Sequence, residues 1–196
     1  MISCLLLSAG FSSRFGSPKA LALLDRQTLI EHLQELLLTT QLYEIIIVLG
    51  HDAEQIKPFL FKHRKIKVVY NKDYKFGQTS SFKCGIKEVV APTTGVLLFP
   101  VDYPLIKKKT IDTLITYFDE RKPVALIPSY DDRKGHPPIF NIQLKNEFQN
   151  LEDVLGVNTV IHRHIDEVAV LPVDDPGVIK SFNTKEEFEQ LKAELT

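Results

Sequence analysis

The sequence predicts an α/β protein: one three-layer α/β/α domain in which helices cover both faces of a mostly parallel sheet. Three observations predict it. Short β-rich apolar runs alternate along the chain with segments of helical periodicity, a Rossmann-like β-α-β-α rhythm. Glu44–Leu49 (EIIIVL) and Gly95–Pro100 (GVLLFP) are continuously apolar, as parallel strands covered on both faces are. The length of 196 residues suits one core, and no repeat, low-complexity tract or linker divides it.

The elements follow in order. Ser3–Leu7 is a compact strand, and the loop behind it contains Gly10, Gly16 and Pro18. Leu29, Ile30, Leu33, Leu36 and Leu37 recur at helical spacing across Leu29–Leu38. After the strand Glu44–Leu49, a helical pattern runs from about Asp52 to Lys62, and Ile66–Tyr70 returns as strand. A third helix starts near Thr79 or Ser80, and the strand Gly95–Pro100 precedes a helix over Thr110–Phe118. Val124–Pro128 is strand. The last third is less regular: Pro137–Asn141 reads as strand, Ile142–Gln149 as a short helix and Val168–Val173 as an edge strand. Thr184–Leu195 closes the chain as a helix, with Thr184 as cap and Glu187 completing a capping box.

Composition narrows the function. The chain is 44% hydrophobic and 25% charged, which is ordinary for a globular domain. A formal net charge of −1 with mixed signs argues against a nucleic-acid binder, which would carry a basic excess. Two cysteines, Cys4 and Cys84, are too few for a disulfide framework and read as buried thiols in a reducing compartment. The N-terminus lacks the charged start of a signal peptide, and no apolar run nears the roughly 20 residues of a membrane helix. A cytoplasmic protein that engages no membrane is expected.

Four stretches could carry chemistry. Leu7-Ser8-Ala9-Gly10-Phe11-Ser12-Ser13-Arg14-Phe15-Gly16-Ser17-Pro18-Lys19 directly follows the first strand. Its small residues let backbone N–H groups approach an anion, and Arg14 and Lys19 add a fork and a point charge for phosphate oxygens. The spacing is neither G-x-G-x-x-G nor a P-loop, and an ordinary glycine turn with two solvated cations is the plainer alternative. Phe99-Pro100-Val101-Asp102-Tyr103-Pro104 ends a buried strand, and its prolines stiffen the turn that presents Asp102. A fixed carboxylate beside a phosphate loop suits magnesium; alone, it equally suits an Asx turn or a helix cap. In Gly77-Gln78-Thr79-Ser80-Ser81-Phe82-Lys83, Ser80 and Ser81 either cap a helix or leave free N–H groups for an anion or base edge. Arg133-Lys134-Gly135-His136-Pro137-Pro138 is a charged turn, in which an exposed His136 either contacts a ligand or stands in an inert loop.

Weaker candidates surround these. His51 follows Leu49-Gly50 and either faces a nucleotide or caps the next helix. His162 and His164, two positions apart on a helix, do not share a face, so they do not make a metal pair. Lys107-Lys108-Lys109 reads as a solvated first turn. No Ser-His-Asp or Cys-His set has the context for nucleophilic catalysis.

Taken together, LSAGFSSRFGSPK, GQTSSFKCGI, FPVDYPLI, GHPPIF and SFNTKEEFEQL resemble the molybdenum cofactor cytidylyltransferase family, a branch of the GT-A-like (MobA-like) nucleotidyltransferases. The matches keep their order and span nearly the whole chain. The resemblance implies a mostly parallel mixed sheet in a GT-A-like domain and a Mg²⁺-dependent reaction, with Mn²⁺ as a substitute. It implies transfer of CMP from CTP to the terminal phosphate of molybdenum-loaded molybdopterin, with release of pyrophosphate. Ala at position 9 resembles the cytidylyl branch, because the guanylyl branch places Gly there.

Carried over by residue, the resemblance makes Arg14, Lys19 and Asp102 catalytic. Leu7, Ala9, Gly10, Arg14, Lys19, His51, Ser80 and Ser81 become nucleotide contacts, and His136 an acceptor contact. Asp102 and Asn183 become the metal ligands. Ser181 and Lys185 depart from the closing motif Asp-x-[Asp/Asn]-Thr-Pro-Glu-[Asp/Glu], and Tyr103 replaces the Met usual after the metal Asp. The implied partners are CTP, the molybdenum cofactor and a client molybdenum hydroxylase. Alternatives are a same-fold transferase using GTP or another phosphorylated acceptor, and a non-catalytic carrier of the cofactor. A dehydrogenase is disfavoured by the missing glycine fingerprint.

Overall fold

The first strand, β1 (Ile2–Ser8), is buried along its whole length in the computed structural model, which describes residues 1–194. A small hairpin follows, β2 (Leu23–Leu24) and β3 (Gln27–Thr28), and then α1 (Leu29–Leu38), β4 (Glu44–Leu49), α2 (Ala53–Ile56), β5 (Ile66–Tyr70) and α3 (Gln78–Lys87). The second half holds β6 (Gly95–Pro100), α4 (Lys108–Arg121), β7 (Ala125–Tyr130), β8 (Arg133–Lys134), β9 (Ile139–Asn141), α5 (Lys145–Gln149), α6 (Asn158–Arg163), β10 (Val168–Pro172) and α7 (Lys185–Ala193). Leu195, the last residue of the predicted closing helix, lies outside the described residues.

Among the described residues the main sheet has eight strands, in the order β10-β7-β9-β6-β1-β4-β5 with β8 beside β7. Pairing is parallel except where β9 meets β6 and β7 and where β8 meets β7, so the sheet is mixed and mostly parallel. The side-chain alternation of β1 divides the core. Ile2, Cys4 and Leu6 face α1, α4 and α7, whose Leu33, Ile111, Leu114 and Phe188 complete one apolar layer. Leu5 and Leu7 face the other way, toward Phe82, Phe148 and Val160 of α3, α5 and α6. Each large side chain buried in these layers contributes about 1.5–3 kcal/mol.

Several sequence expectations are corrected. The helix predicted over Asp52–Lys62 is α-helical only at Ala53–Ile56 and tightens into a 3-10 turn at Lys57–Phe59, because Pro58 has no N–H to continue the ladder. His164 lies outside α6, at its C-terminal boundary. Cys84 is half-buried rather than buried, whereas Cys4 is buried and its thiol is held well above its usual pKa by desolvation. Other boundaries move by a few residues, and the capping box of Thr184 and Glu187 is present. Among the described residues, no helix is long and apolar enough to cross a membrane.

The topology creates a crevice. β1 lies between β4 and β6; the connection from β1 to β4 runs through α1 on one face, and that from β5 to β6 runs through α3 on the other. Ligands bind outside the carboxyl ends of strands at such a switch point.

Candidate functional site

A cleft of about 380 Å³ opens at that switch point. It is lined by the loop after β1 (Ser8 to Arg14, then Pro18 to Ala20), by His51, Asp52 and Ile56 after β4, by Tyr74, Lys75, Gly77, Gln78 and Ser81 around the start of α3, and by Pro100 to Asp102 after β6. Asn183 is its one contribution from the last third of the described chain.

The loop after β1 is wound by its own hydrogen bonds. Ser12 adopts a positive φ of 50°, its carbonyl accepts from Phe15 and Gly16, and its hydroxyl accepts from the Lys19 backbone at 3.2 Å. A Cβ added at Gly10 would meet nothing within 4 Å, so a ligand can approach the backbone there. The opposite holds at Gly50, where a Cβ would lie 2.6 Å from both the Ala9 carbonyl and the Tyr74 side chain. Gly50 therefore allows the loops after β1 and β4 to touch, and the His51 N–H seals that contact by donating to Ala9 at 3.1 Å. The rings of Phe11, His51 and Tyr74 meet with centroids 5.0–5.7 Å apart and form one aromatic wall of the cleft. The His51 Nδ1 lies 2.7 Å from Asp52, a carboxylate that sequence reasoning missed.

At the other end is a charged cluster. The Lys19 ammonium donates to the Phe182 carbonyl at 2.6 Å, to Asp102 Oδ2 at 3.2 Å and to Asn183 Oδ1 at 3.2 Å. Arg14 donates to the same Asn183 oxygen at 2.9 Å. Asp102 is held in turn: its carbonyl accepts from the Phe182 N–H, and the turn after it leads to Lys107, whose N–H caps onto the fully buried Asp175 at 2.9 Å. Asp175 also accepts from Thr110 and Gly177 and fixes the start of α4 from 65 residues away. Such long-range capping leaves no local sequence signal.

A cation is already accommodated between Asp102 and Asn183, since the Lys19 ammonium bridges their oxygens. Both are hard oxygen donors of the kind Mg²⁺ or Mn²⁺ takes, and a triphosphate can complete the shell. The donor set fits a divalent cation that arrives with a nucleotide.

Of the residues expected from sequence, the cleft brings together Leu7, Ala9, Gly10, Arg14, Lys19, His51, Ser81, Asp102 and Asn183. Ser80 is not among them. Its hydroxyl accepts from Asn71 at 3.0 Å and donates to the Asp73 and Gly77 carbonyls, so it is spent on pinning the loop ahead of α3. His136 also lies outside the cleft, and the expectation that it is exposed is corrected. It is half-buried, its ring centroid 4.5 Å from that of Tyr103, with Nδ1 enclosed and without a hydrogen-bond partner among the described residues. Gly135 draws it in, because a Cβ there would fall 2.2 Å from the Val178 carbonyl. Burial lowers the His136 pKa, against the pull of Asp102 and the Leu98 carbonyl. Burial and, to a lesser extent, the nearby Asp102 carboxylate raise the Tyr103 phenol, against the lowering effect of its hydrogen bond with Ser181. His136 and Tyr103 thus form a shelf flanking Asp102, beside the cleft.

The architecture agrees with what the sequence matches. Residues 4–179 match the MobA-like NTP transferase domain. The chain belongs to that family. It is a nucleotidyltransferase of α/β fold. It is 31% identical over 153 residues to a protein named nicotine blue oxidoreductase from Paenarthrobacter nicotinovorans, covering 74% of this chain and 72% of that one. It is 26% identical over 137 residues to the molybdenum cofactor cytidylyltransferase of Escherichia coli (strain K12), covering 69% and 68%. To a probable molybdenum cofactor guanylyltransferase from Thermococcus sibiricus (strain DSM 12597 / MM 739) it is 24% identical, over 96% of both chains. The bifunctional GlmU proteins it also resembles are longer, and the match spans 27–29% of their length. Rv0371c of Mycobacterium tuberculosis H37Rv, at 23% identity, superposes over 98% of both chains with a TM-score of 0.85; a manganese complex of that protein gives 0.80.

Proposed function

We propose that this nucleotidyltransferase moves CMP from CTP to the terminal phosphate of molybdenum-loaded molybdopterin and releases pyrophosphate. The observation that carries the reading is the cluster of Arg14, Lys19, Asp102 and Asn183 at the switch-point cleft. It sets two cations and two hard oxygen donors beside a backbone loop open to an anion. The preference for CTP rests on Ala9, and the acceptor on the resemblance to the cofactor transferases.

The reaction is an in-line displacement at the α-phosphorus, in which two anions must approach each other, so charge neutralisation dominates. Asp102 and Asn183 would hold Mg²⁺, or Mn²⁺, which when bound neutralises phosphate oxygens. Arg14 and Lys19 offset the charge of the departing pyrophosphate. The base lies against the wall of Phe11, His51 and Tyr74, with Leu7, Ala9, Gly10 and Ser81 around it, and Ser80 acts indirectly by holding the neighbouring loop. His136 and Tyr103 receive the acceptor on the far side of Asp102. The acceptor phosphate is ionised near neutral pH and needs no general base. A cytoplasmic location and delivery of the product to a molybdenum hydroxylase complete the reading.

Pyrophosphate release with Mg²⁺, molybdenum-loaded molybdopterin and each of the four nucleoside triphosphates tests it. Release with CTP alone is expected. Equal release with GTP would reassign the base, and silence despite saturable CTP binding would reassign the acceptor. The similarity to nicotine blue oxidoreductase favours one second reading, redox chemistry on this fold. Oxidation of NAD(P)H by the purified protein would support that reading at the expense of the first.

A further inference from the structure

We infer that Lys19 is the resting counter-ion of the cation site, so that divalent cation and nucleotide bind as a coupled pair. The inference rests on the reading of Asp102 and Asn183 as cation ligands, and asks what occupies their oxygens beforehand.

An ammonium has three donors. Those of Lys19 are matched by three acceptors, the Phe182 carbonyl and one side-chain oxygen each of Asp102 and Asn183. None is left for a phosphate. The Lys19 side chain is 12% exposed and that of Asp102 25%, so the pair is screened far less than a surface bridge. The Lys19 ammonium also lies over the Phe182 ring, 5.1 Å from its centroid. A second cationic donor, Arg14, shares the Asn183 oxygen.

A divalent cation and the Lys19 ammonium therefore compete for the same two oxygens. A bare cation must displace the ammonium from these oxygens, and the cleft's other carboxylate, Asp52, is already paired with His51. A triphosphate changes that balance: its oxygens give Lys19 and Arg14 new acceptors at the moment Asp102 and Asn183 are released. Linkage makes the effect reciprocal, so each ligand tightens the other by the same factor. The arrangement keeps the nucleotide-free site closed to cations while holding Asp102 and Asn183 in place.

Mn²⁺ binding to the nucleotide-free protein, followed by the electron paramagnetic resonance of free Mn²⁺, tests this without turnover or acceptor. Lys19→Gln removes the charge and keeps a donor for the Phe182 carbonyl; it should bind Mn²⁺ about tenfold more tightly than the wild type, the scale of one partly buried ion pair. Arg14→Gln removes a charge that reaches Asn183 through an exposed hydrogen bond but does not touch the Asp102 carboxylate, and it should change Mn²⁺ affinity far less. In the wild type, which needs no variant to fold, the Lys19 ¹³Cε resonance should shift with Mg²⁺ and CTP together and stay in place with Mg²⁺ alone. Unchanged or weaker Mn²⁺ binding by Lys19→Gln, an equal gain in Arg14→Gln, or a shift with Mg²⁺ alone would overturn the inference. A wrong acceptor or base, by contrast, would appear only in the pyrophosphate assay.

Discussion

The two halves of the sheet are built by different rules. β1, β4 and β6 are parallel and buried, β5 adds a half-exposed parallel edge, and their ends lie together at one side, where the loops after β1, β4 and β6 supply the cleft with Arg14, Lys19, His51 and Asp102. β9 runs against its neighbours, β8 is a two-residue return, and β10 is a half-exposed edge. This second half reaches the site through Phe182 and Asn183, which lie on the segment returning past Asp102, and through the His136 shelf. On the proposed reading the difference would separate two tasks: the parallel half would grip a nucleotide, and the mixed half would position what must meet it.

The comparison can be broken most decisively at Asp102. Asp102→Ala should lower kcat by about 10²–10⁴, since metal stabilisation amounts to several kcal/mol, while leaving the thermal midpoint nearly unchanged. Phe140, buried in β9 and packed on Phe82 and Phe148, gives the reverse signature. Phe140→Ala should cost about 3–5 kcal/mol in urea unfolding, with the CTP affinity of the folded fraction retained. Asn183→Ala sits between them. It removes the crossing contact and should lower kcat/KM by about ten- to a hundredfold, the scale of a hydrogen bond to charged groups, with little loss of stability.

Smaller effects sharpen the picture at the C-terminal side. Thr184→Ala removes the cap of α7 and should cost about 1 kcal/mol by denaturant titration. For pH, burial holds His136 and His32 below the ordinary 6.5 in the folded state, so the unfolded chain takes up protons first as pH falls. Stability should therefore decline below about pH 6.5, and His136→Gln should flatten that decline in thermal melts. His164, raised by Glu147, contributes in the opposite direction, and its exposure keeps that contribution small.

How much was legible in the sequence follows the same division. Runs such as EIIIVL and GVLLFP declare buried parallel strands; Arg14 and Lys19 in the loop after β1 and Asp102 after β6 were candidates because they follow strand ends, and the fold brings all three into one cleft. Asp52 and Tyr74 were missed: each lies on an ordinary polar loop and acquires a role only through contact with His51. Asp175 and the Phe182 carbonyl were invisible because their partners are 65 and 163 residues away. His136 read as exposed because glycine and proline neighbours usually mark open loops; here Gly135 serves close packing against Val178.

The central claim is that the Asp102 cluster transfers CMP to the molybdenum cofactor. The most direct measurement is pyrophosphate release from CTP, with Mg²⁺ and molybdenum-loaded molybdopterin, by the wild type and by Asp102→Ala. The account predicts cofactor-dependent release that disappears in the folded variant. Near-normal turnover by a folded Asp102→Ala protein would contradict it.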